Sequence, residues 1–178
     1  MRHFYFLSAV LSAALALAST PQALASTEVG QPAPALVVEE LNGNTFDLAA
    51  ERGKVTIINF WATWCSPCRQ EMPALDAFYK RYHAQGLEMI GLSADRPHDR
   101  SEVAKVMQSF SYPAAMLDDA KSDGFEEPTA LPITYVVDKN GILRAKLVPG
   151  DKPLTEKSLA AVVLPLLPGR TAAQGSTH

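Results

Sequence analysis

Asn59-Phe60-Trp61-Ala62-Thr63-Trp64-Cys65-Ser66-Pro67-Cys68-Arg69-Gln70-Glu71-Met72-Pro73 contains both cysteines of the chain and a change in hydrophobic period. On its upstream side, Val55 to Trp61 is nearly continuous in apolar and β-branched residues, the pattern of a strand buried on both faces. On its downstream side, residues 66–84 have helical spacing. Leu75, Phe78, Tyr79 and Tyr82 recur every three or four positions and share one face. Cys65 and Cys68 therefore stand where a buried strand gives way to a helix. A thiol at that point faces unpaired backbone N–H groups and the positive end of the helix dipole, and both favour thiolate. The first cysteine becomes the nucleophile, and Cys68, one turn further in, is positioned to resolve a mixed disulfide. Pro67 suits the first turn, where its missing N–H costs little.

Two other uses of the pair remain open at this level. As a structural staple, a four-residue loop constrains the unfolded chain by about 2 kcal/mol, against ~4.7 kcal/mol for a 100-residue loop. As a metal site, the pair lacks partners, because His3, His83, His98 and His178 form no ligand-spaced cluster. A two-thiolate Cu(I) site on Cys65 and Cys68 is the remaining metal reading.

Outward from the cysteines the periods alternate. Residues 35–48 hold two short strand-like pieces around Asn42-Gly43, a hairpin signal. Leu87 to Ser93 reads as a second apolar strand, residues 99–110 as an amphipathic helix, and Tyr112 to Leu117 as a short strand. Ile133 to Val137 and Ile142 to Val148 flank the turn Asp138-Lys139-Asn140-Gly141. A closing helix spans 155–167, with Thr155 as N-cap and Pro165 as its kink or end. This order predicts an α/β domain with a mixed central sheet covered on both faces.

The whole chain has 178 residues, 47% of them hydrophobic and 20% charged, with a net charge of −3. That predicts one domain with a real core and no basic face for nucleic acid. Two cysteines exclude a disulfide-scaffolded mini-protein and a four-cysteine zinc site. Arg2 and His3, the apolar run from Phe4 to Ala18, Pro21 and Ala23-Leu24-Ala25 have the layout of a secretory signal peptide, cleaved after Ala25. An uncleaved membrane anchor is the competing reading, although the run is shorter than the ~20 residues a spanning helix needs. The expected organisation is a signal peptide at 1–25, a domain at 26–167 and a frayed tail at 168–178. The domain is expected in an oxidising, extracytoplasmic compartment.

The stretch from Asn59 to Pro73 resembles the thioredoxin superfamily, and most of all its secreted bacterial branch, the TlpA/ResA/DsbE-like thiol–disulfide oxidoreductases. The resemblance continues through Gly30-Gln31-Pro32-Ala33-Pro34, Gly53-Lys54 and Leu131 to Gly141, and covers about residues 29–167. It implies a thioredoxin-like three-layer fold with an N-terminal β-hairpin and a central βα insertion. It also implies that Pro132 is the cis-proline facing the two cysteines, where it exposes the preceding backbone to an extended substrate. An ordinary trans turn proline is the plain alternative. Glu71 matches a glutamate that modulates proton transfer and thiol acidity in ResA-like proteins; otherwise it is a solvated carboxylate near the start of the helix. Asn59 departs from the buried aspartate of cytosolic thioredoxins. An amide cannot take up the proton of the resolving thiol, so either Glu71 or a bound water does so or resolution is slow, and Asn59 is expected to satisfy a buried hydrogen bond. Trp61 and Trp64 are expected to wall the disulfide, with contact to partners as the other reading of Trp64.

The resemblance further implies a periplasmic reductase of protein disulfides, with apocytochrome c or copper-site cysteines as clients. It would be a monomer, re-reduced by a membrane thiol donor of the DsbD/CcdA kind. No cofactor is expected beyond the redox-active pair. A Cu(I) carrier on the same two cysteines is the second reading. A peroxidase is the third, although its nucleophile would sit in a Thr-x-x-Cys setting rather than Trp64-Cys65-Ser66-Pro67-Cys68.

Overall fold

The computed structural model describes residues 27–125, 128–150 and 153–169. The secretory segment expected at 1–25 lies outside them, as does the expected tail beyond Gly169. Strand β1 (Leu36–Glu40) and β2 (Thr45–Asp47) form the N-terminal hairpin. Then come β3 (Val55–Trp61), α1 (Ser66–Tyr82), β4 (Leu87–Ser93), α2 (Arg100–Met107) and β5 (Ala114–Asp123). Strands β6 (Ile133–Val137) and β7 (Leu143–Leu147) and helix α3 (Glu156–Val163) complete the described chain. The seven strands form one sheet in the order β2-β1-β5-β4-β3-β6-β7. The β3–β4 and β4–β5 pairs are parallel, and the remaining pairs are antiparallel. This is the mixed sheet with an N-terminal hairpin and a βα insertion that the sequence predicts.

Alternation along β3 divides the core. Val55, Ile57 and Trp61 point to one face, where α1, α2 and α3 contribute Met72, Leu75, Phe78, Val103, Leu159 and Val163. Ile58 and Phe60 point to the other, where they meet Leu36, Val38, Phe46, Leu48, Phe125 and Tyr135. Among the described residues that second cluster contains none from a helix. Gly91 in β4 leaves room for the core on the helix side: a Cβ there would lie 3.2 Å from both Trp61 Nε1 and the Tyr112 ring.

Two elements differ from expectation. The helix expected at 99–110 is α2, Arg100–Met107, preceded by a single 3-10 turn at Pro97–Asp99. The short strand expected at Tyr112 to Leu117 begins at Ala114 and runs on to Asp123. Its polar second half, with Asp118, Asp119 and Lys121, has no strand-like alternation. Backbone pairing to β1 holds it extended instead. Pro165 falls in a 3-10 turn, Leu164–Leu166, that ends α3 as expected.

Candidate active site

Strand β3 is buried throughout and ends at Trp61, at the C-terminal end of a central strand of the sheet. Three hydrogen-bonding groups then fasten the turn that leads to Cys65. Ala94 N–H donates to Trp61 O at 2.8 Å. Thr63 donates to Asp95 twice, from its backbone N–H (2.8 Å) and its hydroxyl (2.6 Å). Ser93 Oγ donates to the same carboxylate at 2.7 Å. Asp95 is 3% exposed, so this is a buried, charge-assisted clamp between the end of β4 and the turn. Sequence reasoning missed Asp95. The only available signal was a polar Ser-x-Asp immediately after an apolar strand.

Cys65 is the N-cap of α1, with extended backbone (φ −83°, ψ 98°), and its Sγ accepts the N–H of Cys68 at 3.2 Å. Ser66 and Pro67 occupy the first two helical positions. No acidic residue lies in the first turn, and Lys80 and Arg81 lie in the last, so the N-terminal field is not offset locally. The two sulfurs are joined in a disulfide with a Cα–Cα distance of 5.3 Å. Cys65 keeps 6% exposure and Cys68 2%. Cys65 is thus the less buried of the two sulfur-bearing residues. The access is narrow.

Glu71 lies one turn beyond Cys68 and is buried. It lines a cavity of about 450 Å3 together with Pro132, Thr134, Lys146 and Leu154. Leu154 N–H donates to Glu71 Oε1 at 2.8 Å. Burial pushes the Glu71 carboxyl above its ordinary value, and the Leu154 N–H only partly opposes the shift. It is therefore not the solvated carboxylate of the plainer reading. The Leu131–Pro132 peptide is cis. Antiparallel pairing of β3 with β6 sets Phe60 opposite Ile133 and Asn59 opposite Thr134, which brings Pro132 level with the end of β3. Asn59 Nδ2 donates to Thr134 Oγ1 at 2.9 Å, while its buried Oδ1 has no partner among the described residues.

The two tryptophans separate. Trp61 is fully buried in the cluster that also holds Cys65 and Cys68, whereas Trp64 is 70% exposed. Among the described residues no group of three or more His, Cys, Asp or Glu side chains could hold a metal ion. Any Cu(I) site would rest on the two cysteine sulfurs alone.

The AhpC/TSA family model matches residues 29–146 of this chain. The thiol–disulfide oxidoreductase ResA of a Bacillus cereus strain is 32% identical over 121 residues, covering 68% of this chain and 70% of the relative. A thiol:disulfide interchange protein, DsbE, from Chlorobium tepidum shares the fold with a TM-score of 0.67 at 23% identity, covering 78% of this chain and 97% of that one. A secreted thiol-disulfide isomerase from Corynebacterium glutamicum gives 0.60 at 26% identity, with coverages of 76% and 84%.

Proposed function

Because the chain belongs to the AhpC/TSA family and is a thiol–disulfide oxidoreductase of the ResA/DsbE type, we propose that it reduces protein disulfides outside the cytoplasm. The observation that carries this reading is Cys65 at the N-cap of α1, its sulfur accepting the Cys68 N–H. That same N–H stabilises a Cys65 thiolate once the disulfide is reduced. The leading sequence that predicts secretion, and relatives such as the secreted isomerase, support the compartment.

In the cycle, the Cys65 thiolate attacks one sulfur of a client disulfide held against the Pro132 loop. A Cys65–client bond forms, and one client sulfur leaves as thiolate. Cys68 gives up its proton and attacks Cys65 Sγ, so the second client thiol is released and the Cys65–Cys68 bond returns. Two electrons have passed to the client. A membrane thiol donor of the DsbD/CcdA kind restores the dithiol by the reverse exchange, and the clients implied by the resemblance are apocytochrome c or copper-site cysteines. The proton of Cys68 goes to Glu71, which lies one turn away with a carboxyl raised by burial. Asn59 cannot take that proton, since its amide has no basic site. A peroxidase would carry threonine three residues before the nucleophile, where this chain has Ala62.

Titration against glutathione tests the direction of electron flow. A potential near thioredoxin's ~−270 mV supports the reductase, and one near DsbA's ~−120 mV overturns it. Replacing Cys68 with Ser should trap Cys65-linked clients, and mass analysis of the adducts would name them. An unadducted Cys65 in that variant, still open to alkylation, would mean that the two roles are wrongly assigned.

A further inference from the structure

At the C-terminal ends of the parallel strands β3, β4 and β5 a groove of about 380 Å3 opens beside the disulfide turn. Open α/β sheets bind ligands at these strand ends. Trp64 follows β3, Ala94 follows β4, Leu117 and Asp118 come from β5, and Pro128 to Leu131 form the other wall. Trp64 is the most exposed large apolar side chain among the described residues.

The shape of β5 accounts for Asp118. Val38 of β1 pairs with Ala120, yet Glu40 pairs with Ala115, so the intervening residues of β5 bulge from the ladder. Pairing of β5 with β4 also stops at Met116. Bulges beside active sites re-aim side chains, and this one turns Leu117 and Asp118 into the groove. The neighbouring Asp119 is neutralised by an ion pair with Arg100. Asp118 has no such cation among the described residues, and among the described residues that line the groove it is the one charged side chain. An open indole face and an unpaired carboxylate both attract a cation.

We propose that this groove selects client disulfides in which arginine or lysine flanks the attacked cysteine, the cationic group lying over Trp64 and toward Asp118. The inference rests on the reductase reading and adds a substrate class to it. The exchange chemistry is unchanged, and the groove decides only which disulfide reaches Cys65.

The test uses disulfide-linked dimers of the peptide acetyl-Gly-X-Cys-X-Gly-amide, with X as Arg, Gln or Glu, and reads kcat/KM with the reduced protein. The wild-type protein should prefer Arg over Gln by about five- to tenfold, the combined size of an exposed cation–π contact and ion pair. Asp118→Asn should bring the Arg/Gln ratio down to about two, the part left to the indole. Asp118→Lys should place the Glu peptide ahead of the Arg peptide. Glu102→Gln removes an equal charge from α2, outside the groove, and should leave the ratio where it was. A wild-type ratio near one, or equal loss in Asp118→Asn and Glu102→Gln, overturns the inference while reduction of the Gln peptide keeps the reductase standing. If the wild-type protein reduces none of the three peptides, both fall together.

Discussion

At the scale of single residues, chemistry is divided between groups that meet sulfur and groups that hold the turn. In the proposed cycle Glu71 belongs with the first, as acceptor of the Cys68 proton. Its carboxyl is raised by burial, so the folded protein binds a proton more readily than the unfolded chain does. Folding is then favoured by Glu71 below its ordinary value of 4.5, and that contribution is lost as the pH rises through the folded value. Glu71→Gln keeps an oxygen for the Leu154 N–H and has no charge to bury. The variant should therefore unfold at a higher urea concentration than wild type at pH 7 and at a similar one at pH 4. It should also slow resolution of a Cys65 mixed disulfide at pH 7 by about a hundredfold, the lower end for a lost proton acceptor. Unchanged resolution would leave Glu71 a structural carboxylate. Asp95 belongs with the second group. Asp95→Ala strips three acceptor contacts from Thr63 and Ser93 and should destabilise the fold by about 2–3 kcal/mol in urea. Reduced Asp95→Ala should also show a shifted pH profile for Cys65 alkylation, because the helix N-terminus and the sulfur no longer share a fixed turn.

Elements were legible where burial writes a clear period. Strands β3 and β4 match the apolar runs 55–61 and 87–93 residue for residue, because both faces of each are covered. Helix α3 was legible at both ends, from Thr155 and Pro165. The second half of β5 was not, since its extended form comes from a distant partner strand and a bulge, neither of which leaves a local pattern. Asp95 was hidden for a related reason: its role depends on Thr63, which lies 32 positions away in the chain. Glu71 and Pro132 came from the family motif, and only the folded chain shows that they line one cavity. The same cavity links the α3 cap to the site. Thr155 Oγ1 accepts the Ser158 N–H at 3.2 Å, Ser158 Oγ takes the Thr155 N–H at 2.8 Å, and the adjacent Leu154 N–H reaches Glu71. Thr155→Ala should remove about 1 kcal/mol of stability, as for other N-caps. Its thermal midpoint should fall by several degrees. If the cap also holds Leu154 in place, amide exchange at Leu154 will speed up more than at Val163, at the far end of the same helix.

For the molecule as a whole, buried carboxylates away from the cysteines hold the layers together and work against Glu71 as pH changes. Asp76 on α1 accepts the Ser111 N–H and hydroxyl and pairs with Lys80, tying the helix to the loop before β5. Asp138 accepts the N–H groups of Asn140 and Ile142 and the Arg144 guanidinium, closing the β6–β7 turn. Burial alone would raise both carboxyls, but these donors outweigh it and hold both below the ordinary 3.8. A depressed carboxyl contributes stability that is present above the unfolded value and lost as pH falls through the folded one. Glu71 has the opposite sign, and its contribution grows as pH drops toward 4.5. The urea midpoint should therefore rise modestly from pH 7 to about 4.5 and then fall steeply below 3.8, where Asp76 and Asp138 take up protons. Asp76→Asn should flatten the acid limb and leave the rise above pH 4.5 in place, while Glu71→Gln should do the reverse. Equilibrium unfolding of the three proteins across this range separates the two carboxylate classes. A single acid limb that neither substitution alters would mean that other groups set the pH response.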